Sequence, residues 1–159
     1  MRTELSAIQS LYEYNSQRRA DYLAAIWRLP PKERYRDRGA SFPSLVDIYM
    51  HVLDAYKWWF DCVYSDLGEI EEYPLGRRYT RTEALRESRA VSGRVRNVVK
   101  TLRPADLARR YTIPGGRGRI QLRTLLLHMI EEELQHRGEM NALLWQAGRD
   151  PPVRGYDDQ

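Results

Sequence analysis

Apolar residues recur through most of the chain every three or four positions, the spacing that gathers them on one side of an α-helix. Leu5, Ile8, Tyr12, Leu23 and Ile26 mark a first helix from about Thr3 to Arg28. Leu29-Pro30-Pro31 closes it, because the residue before a proline is pushed out of helical backbone. After a polar connection, Ser41-Phe42-Pro43-Ser44 predicts the start of a second helix, with proline in the first turn and a serine cap. It runs to about Leu67, with Leu45, Ile48, Val52, Ala55, Trp59 and Cys62 on its apolar face. A third helix begins at Thr80 or Thr82, where Glu83 suits the positive end of the helix dipole, and Arg103-Pro104 stops it. Its stripe is Leu85, Val91, Val95 and Val98 or Val99. The stretch Arg109–Arg123 changes texture and predicts two short extended pieces around Pro114-Gly115-Gly116. A fourth helix follows from a Thr124 cap to Ala147, carried by Leu125, Leu126, Leu127, Ile130, Leu134, Met140, Leu143 and Leu144. Gly148 and Pro151-Pro152 end it.

Four such helices with short or medium connections predict an all-α fold, a four-helix bundle. The length of 159 residues fits one domain, assigned to residues 1–150, with a polar tail at 151–159. With 42% hydrophobic and 30% charged residues the chain has the composition of a globular protein. No apolar run reaches the length of a membrane span, and the charged N-terminal residues lack a secretory core, so a cytoplasmic protein is expected. The single cysteine, Cys62, excludes an internal disulfide and is expected to be a small buried hydrophobe. The net charge of +4 raises the question of nucleic acid, but the basic residues are scattered, which argues against specific binding. Three of the 26 are lysines and 23 are arginines, a bias that separates neither heat adaptation nor anion binding from genome composition. Arg117 and Arg119 flank a glycine-rich turn that can grip an anion, but phosphate-loop spacing is missing and a plain hairpin is the expected reading.

The chemistry rests on three histidines, His51, His128 and His136, all on predicted helices beside apolar positions. Facing helices of a bundle are where such residues build metal sites. His128, Glu132 and His136 are four apart and form a ladder on one face of the fourth helix. Glu131 and Glu133 are assigned to a solvated edge, while Glu139 flanks the ladder three residues beyond His136. His128 and His136 are about 12 Å apart along the axis, too far for one ion with bonds of about 2 Å. An ion is therefore held by Glu132 with His136, or by His128 with Glu132, and His51 is the remaining histidine for a third ligand from another helix. Two histidines and one carboxylate leave positions open, which is the pattern of a catalytic rather than a structural site.

The chain resembles the DinB/YfiT-like superfamily of metalloenzymes. The resemblance is carried by Y-N-S-Q-R-R-A-D-Y-L (14–23) with R-L-P-P, by S-F-P-S-L-V-D-I-Y-M-H-V-L-D-A-Y-K-W-W (41–59), and by H-M-I-E-E-E-L-Q-H-R-G-E-M (128–140) with G-R-D-P-P. It implies a four-helix bundle with a long crossover and one divalent metal ion (Zn, Ni, Fe or Mn) held by His51, Glu132 and His136. Many members have a second histidine where Glu132 stands; the branch similar to mycothiol-dependent maleylpyruvate isomerase uses glutamate. His128 then becomes a pocket-lining residue or a neighbour of the ligands. Tyr12 and Asn15 are assigned to substrate placement from helical facing and resemblance. Arg137 and Gly138 are expected to serve packing, the arginine by pairing with an acid and the glycine by allowing close helix approach.

The resemblance further implies use of a low-molecular-weight thiol, such as bacillithiol or mycothiol, in a transferase or isomerase reaction on a small electrophile, and a homodimer. Three functions compete. They are a metal-dependent thiol S-transferase, a non-catalytic metal-binding or stress-linked bundle, and a basic nucleic-acid binder, the last disfavoured by the scattered charge.

Overall fold

The structure is a computed structural model that describes residues 3–153; the part of the expected polar tail at 154–159 lies outside the described residues. Helix α1 (Glu4–Arg28) starts where the Thr3 side chain accepts a hydrogen bond from the Ser6 amide. It stops at Leu29 before the proline pair, which instead opens a single turn, α2 (Pro31–Arg34). Helix α3 (Leu45–Lys57) is capped by Ser44; Pro43 precedes the cap rather than sitting in the first turn. Helix α4 (Arg81–Thr101) is capped by Thr80, not Thr82, in a reciprocal box with Glu83. Helix α5 (Leu122–Gln146) begins two residues before Thr124, directly out of a strand, and its Gln121 cap position makes no side-chain cap bond. The Thr80 hydroxyl and the Glu83 carboxylate each satisfy a donor of the other residue, so Thr80→Ala should cost about 1 kcal/mol in urea unfolding.

Helices α1, α3, α4 and α5 form the bundle: α1 packs on α4 and α5, and α3 packs on both as well. The expected apolar positions of α1 all reach the core, as do Val91, Val95 and Val99 of α4. On α5 the agreement is partial, because Leu127 and Leu134 are exposed while Leu122 and Met129 are buried in their place. The expected hairpin forms as β1 (Arg110–Thr112) paired antiparallel with β2 (Arg119–Gln121), with Tyr111 opposite Ile120. Arg117 and Arg119 are spent locally: Arg117 lies over Trp58 and bonds the Pro114 carbonyl, and Arg119 bonds the Arg110 carbonyl. Gly138 is exposed with open space around it, so it permits no close helix approach, contrary to expectation. Among the described residues no helix is long and apolar enough to cross a membrane.

The second predicted helix is continuous in space but not uniform. After Lys57 it widens into a π-helical stretch, Trp58–Tyr64. The wider turn rotates side chains away from simple α spacing. Phe60 and Val63 enter the core, Cys62 is buried as expected, and Trp58 and Trp59 are left half-buried along a cleft.

A polar layer crosses the bundle centre. Glu133, placed by spacing on a solvated edge, is 2% exposed. It accepts hydrogen bonds from Arg19 and from the Tyr56 hydroxyl (2.5 Å). Burial first, then the Glu133 charge, pushes the Tyr56 phenol above its ordinary range, so it remains a donor. Glu131 is exposed as expected. The error on Glu133 has a physical cause. Spacing along one helix shows which residues share a side, not that a buried arginine on α1 waits opposite.

Candidate metal centre

His51 comes from the middle of α3 and Glu132 with His136 from successive turns of α5, the two helices packing directly against each other. One donor atom from each lies within 4.8 Å of the others. The Glu132 Oε1 atom is 3.3 Å from Nε2 of His51 and 3.1 Å from Nε2 of His136. Bonds of 2.0–2.1 Å around a tetrahedral ion would set donors about 3.4 Å apart, close to the two Glu132 separations, while the full triad spans up to 4.8 Å.

His136 is fixed from behind. Its Nδ1 is 2.6 Å from Oε2 of Glu139, and that carboxylate also accepts from the Ser41 amide (3.2 Å) and hydroxyl (2.8 Å). With an Nδ1 proton directed at that carboxylate, the neutral ring leaves Nε2 as a bare lone pair, the form a metal ion takes. That lone pair then meets a carboxylate oxygen at 3.1 Å, and two electron-rich atoms at this distance repel unless a cation or proton lies between them. The donor set therefore fits a divalent cation, with Glu139 in the supporting role common behind metal-bound histidines.

Electrostatics point the same way. Desolvation lowers the His51 pKa, outweighing the hydrogen bond to Glu132, and so favours the neutral ring that a metal requires. For Glu132 burial opposes the charge, but the hydrogen bond from His51 and the nearby His136 hold it below the usual carboxyl range. Glu139 is lowered in the same manner, with Ser41 and His136 outweighing burial. The Phe42 ring stacks on His51 with centroids 4.0 Å apart and meets His136 edge-on at 5.8 Å. His51 and Glu132 open into a cleft of about 450 Å³, walled by Phe42, Trp58, Trp59, Tyr73 and Leu75.

The other expected site residues are elsewhere. His128 is half-buried one turn before Glu132, edge-on to Trp59 at 5.1 Å. Tyr12 is a core residue whose hydroxyl donates to the Leu126 carbonyl (3.0 Å). Asn15 is buried and accepts from Arg137 (2.6 Å), which also lies 3.9 Å from Glu133 and so has its acid partner. Neither Tyr12 nor Asn15 lines the cleft that holds His51 and Glu132. Glu139 was visible in sequence as a carboxylate three residues after His136, but its role depends on Ser41, and the stacking of Phe42 on His51 had no sequence signal.

The family model of the DinB family matches residues 1–158. No curated protein matches the chain. Among solved structures, a DinB-like protein from Bacillus cereus ATCC 10987 is similar at 17% identity and a TM-score of 0.71, covering 93% of this chain and 95% of that one. A DinB-like protein from Bacillus subtilis is similar at 13% identity and a TM-score of 0.66, covering 92% and 96%.

Proposed function

Taking as premise that the chain belongs to the DinB family, we propose that it is a metal-dependent transferase whose triad of His51, Glu132 and His136 holds one divalent ion beside a cleft for a thiol cosubstrate and a small electrophile. The observation that carries this reading is the arrangement of His136: Glu139 takes its Nδ1 side, and its Nε2 faces the other two donors. A divalent ion bound there supplies positive charge that favours the deprotonated form of a thiol or water.

The protein's own groups do the rest. Burial keeps His51 in its neutral form, and Ser41 holds Glu139 so that His136 keeps one orientation. Phe42 shields one face of His51 from water. The half-buried Trp58 and Trp59, both lining the cleft, offer flat apolar surface to the body of a substrate. Three protein ligands leave coordination positions for reactants, in keeping with a reactive site.

The test is metal content together with thiol chemistry. Protein purified without added metal should contain close to one ion per chain, and His51→Ala should lose it. Conjugation of a low-molecular-weight thiol to an electrophile should require the loaded form. Full metal content in His51→Ala removes the ligand assignment, whereas loaded protein inactive across a broad thiol panel removes the transferase reading. Glu139→Gln should weaken metal affinity by about 10–100-fold without unfolding the chain, as losses behind a ligand typically do; competition with a chromophoric chelator measures it.

A further inference from the structure

A second concavity lies between α1 and α4 and shares no lining residue with the metal cleft. It is a groove of about 710 Å³, in the range of small-molecule sites. From α4, Ser92, Arg96 and Lys100 follow one another at four-residue spacing, which stacks a hydroxyl, a guanidinium and an ammonium along one side. From α1, Ser16 faces them, and Tyr12 of α1 with Val95 and Val99 of α4 supplies an apolar floor.

Arg19 also lines this groove, although only 3% of it is exposed. Its Nη2 donates to Ser92 Oγ (3.2 Å), and its Nε has no partner among the described residues. A hydroxyl that accepts from a guanidinium has its own proton free to donate outward. Ser92 thus presents a polarised donor to the groove. Arg96, one turn on, pairs among the described residues with Glu13 at 3.4 Å, with both side chains close to half exposed. Such a solvated pair is weak and yields readily to a more highly charged anion.

We infer that this groove is a binding site for a small organic phosphate ester, its phosphate held by Ser92 and Arg96 and its body lying along the hydroxyl-lined walls. The phosphate offers several oxygens in different directions, which suits donors arriving separately from a hydroxyl and a guanidinium better than a flat carboxylate does. The volume far exceeds a bare oxyanion, and the serines beside Tyr12 and the valines suit a body with both hydroxyl and carbon faces.

The experiment is residue-resolved amide shift mapping of the metal-loaded full chain titrated with ribose 5-phosphate, ribose and inorganic phosphate. The ester should shift amides around Ser16, Ser92 and Arg96 and saturate below about 10 mM, with ribose failing to saturate and inorganic phosphate binding at least about fivefold more weakly. Ser92→Ala with Arg96→Gln should weaken the ester by about tenfold or more, and Arg96→Glu alone should do the same. His136→Ala should leave it unchanged, which separates this groove from the metal cleft. Shifts confined to the metal cleft, absence of saturation, equal binding of inorganic phosphate, or full affinity in both groove variants would each overturn the inference.

Discussion

Replacing His136 by alanine should remove the metal-dependent part of the protein's stability while leaving the bundle folded. An ion that binds only the folded chain stabilises it by about 4 kcal/mol when its free concentration is 1,000 times Kd. For a domain of this size each kcal/mol moves the melting temperature by about 2–4 °C, so the loaded protein should melt on the order of 10 °C above the chelated one. His136 is the best place to test this because it carries both relationships that define the centre, Nε2 toward Glu132 and Nδ1 toward Glu139. The alanine variant should melt at the same temperature with metal and with chelator, close to the chelated parent, and elemental analysis should find it empty. A variant that keeps its ion and its metal-dependent rise would show that the three residues do not form the site.

The second large effect is expected far from solvent. Glu133→Ala should cost about 3–5 kcal/mol in urea unfolding, because it leaves the Arg19 guanidinium buried without its counter-charge. Tyr56 loses its acceptor in the same step. The companion Glu131→Ala, on the exposed side of the same helix, should change stability by less than about 0.5 kcal/mol. Replacing the pair together, as Arg19→Met with Glu133→Leu, should recover most of the loss, since well-packed apolar residues can substitute for a buried ion pair while half of one cannot. Equal, small effects at positions 131 and 133 would mean that the polar layer carries no net stability.

The two predictions concern neighbours on one helix, and that adjacency shows how far sequence reading reaches. Periodicity places the ladder of His128, Glu132 and His136 on one side of α5, and axial rise excludes both histidines serving one ion. The pairing of Glu132 with His136, and the addition of His51, rest on family resemblance at that level; the packing of α3 on α5 then brings those three together in space. Glu133 needed the partner helix, since a carboxylate one residue along from Glu132 has no mark of burial until Arg19 and Tyr56 converge on it. Tyr12 and Asn15 lie away from the cleft beside His51 and Glu132 for the same reason. Their helical facing is read correctly as inward, but inward on α1 means the core and Arg137, not the cleft.

Local grammar determined the helices: proline stops, threonine and serine caps, and apolar residues at three- and four-residue spacing act within one or two turns and need no distant partner. The same grammar determined which acids and histidines share a helix side. Tertiary packing alone decided which of them meet across helices. It turned Glu139 into the support of His136 through Ser41, hid Glu133 against Arg19, and stacked Phe42 on His51. The Ser41–Glu139 and Arg19–Glu133 contacts join residues 98 and 114 positions apart, where the energy comes from desolvation and charge pairing in three dimensions and leaves no periodic trace along the chain.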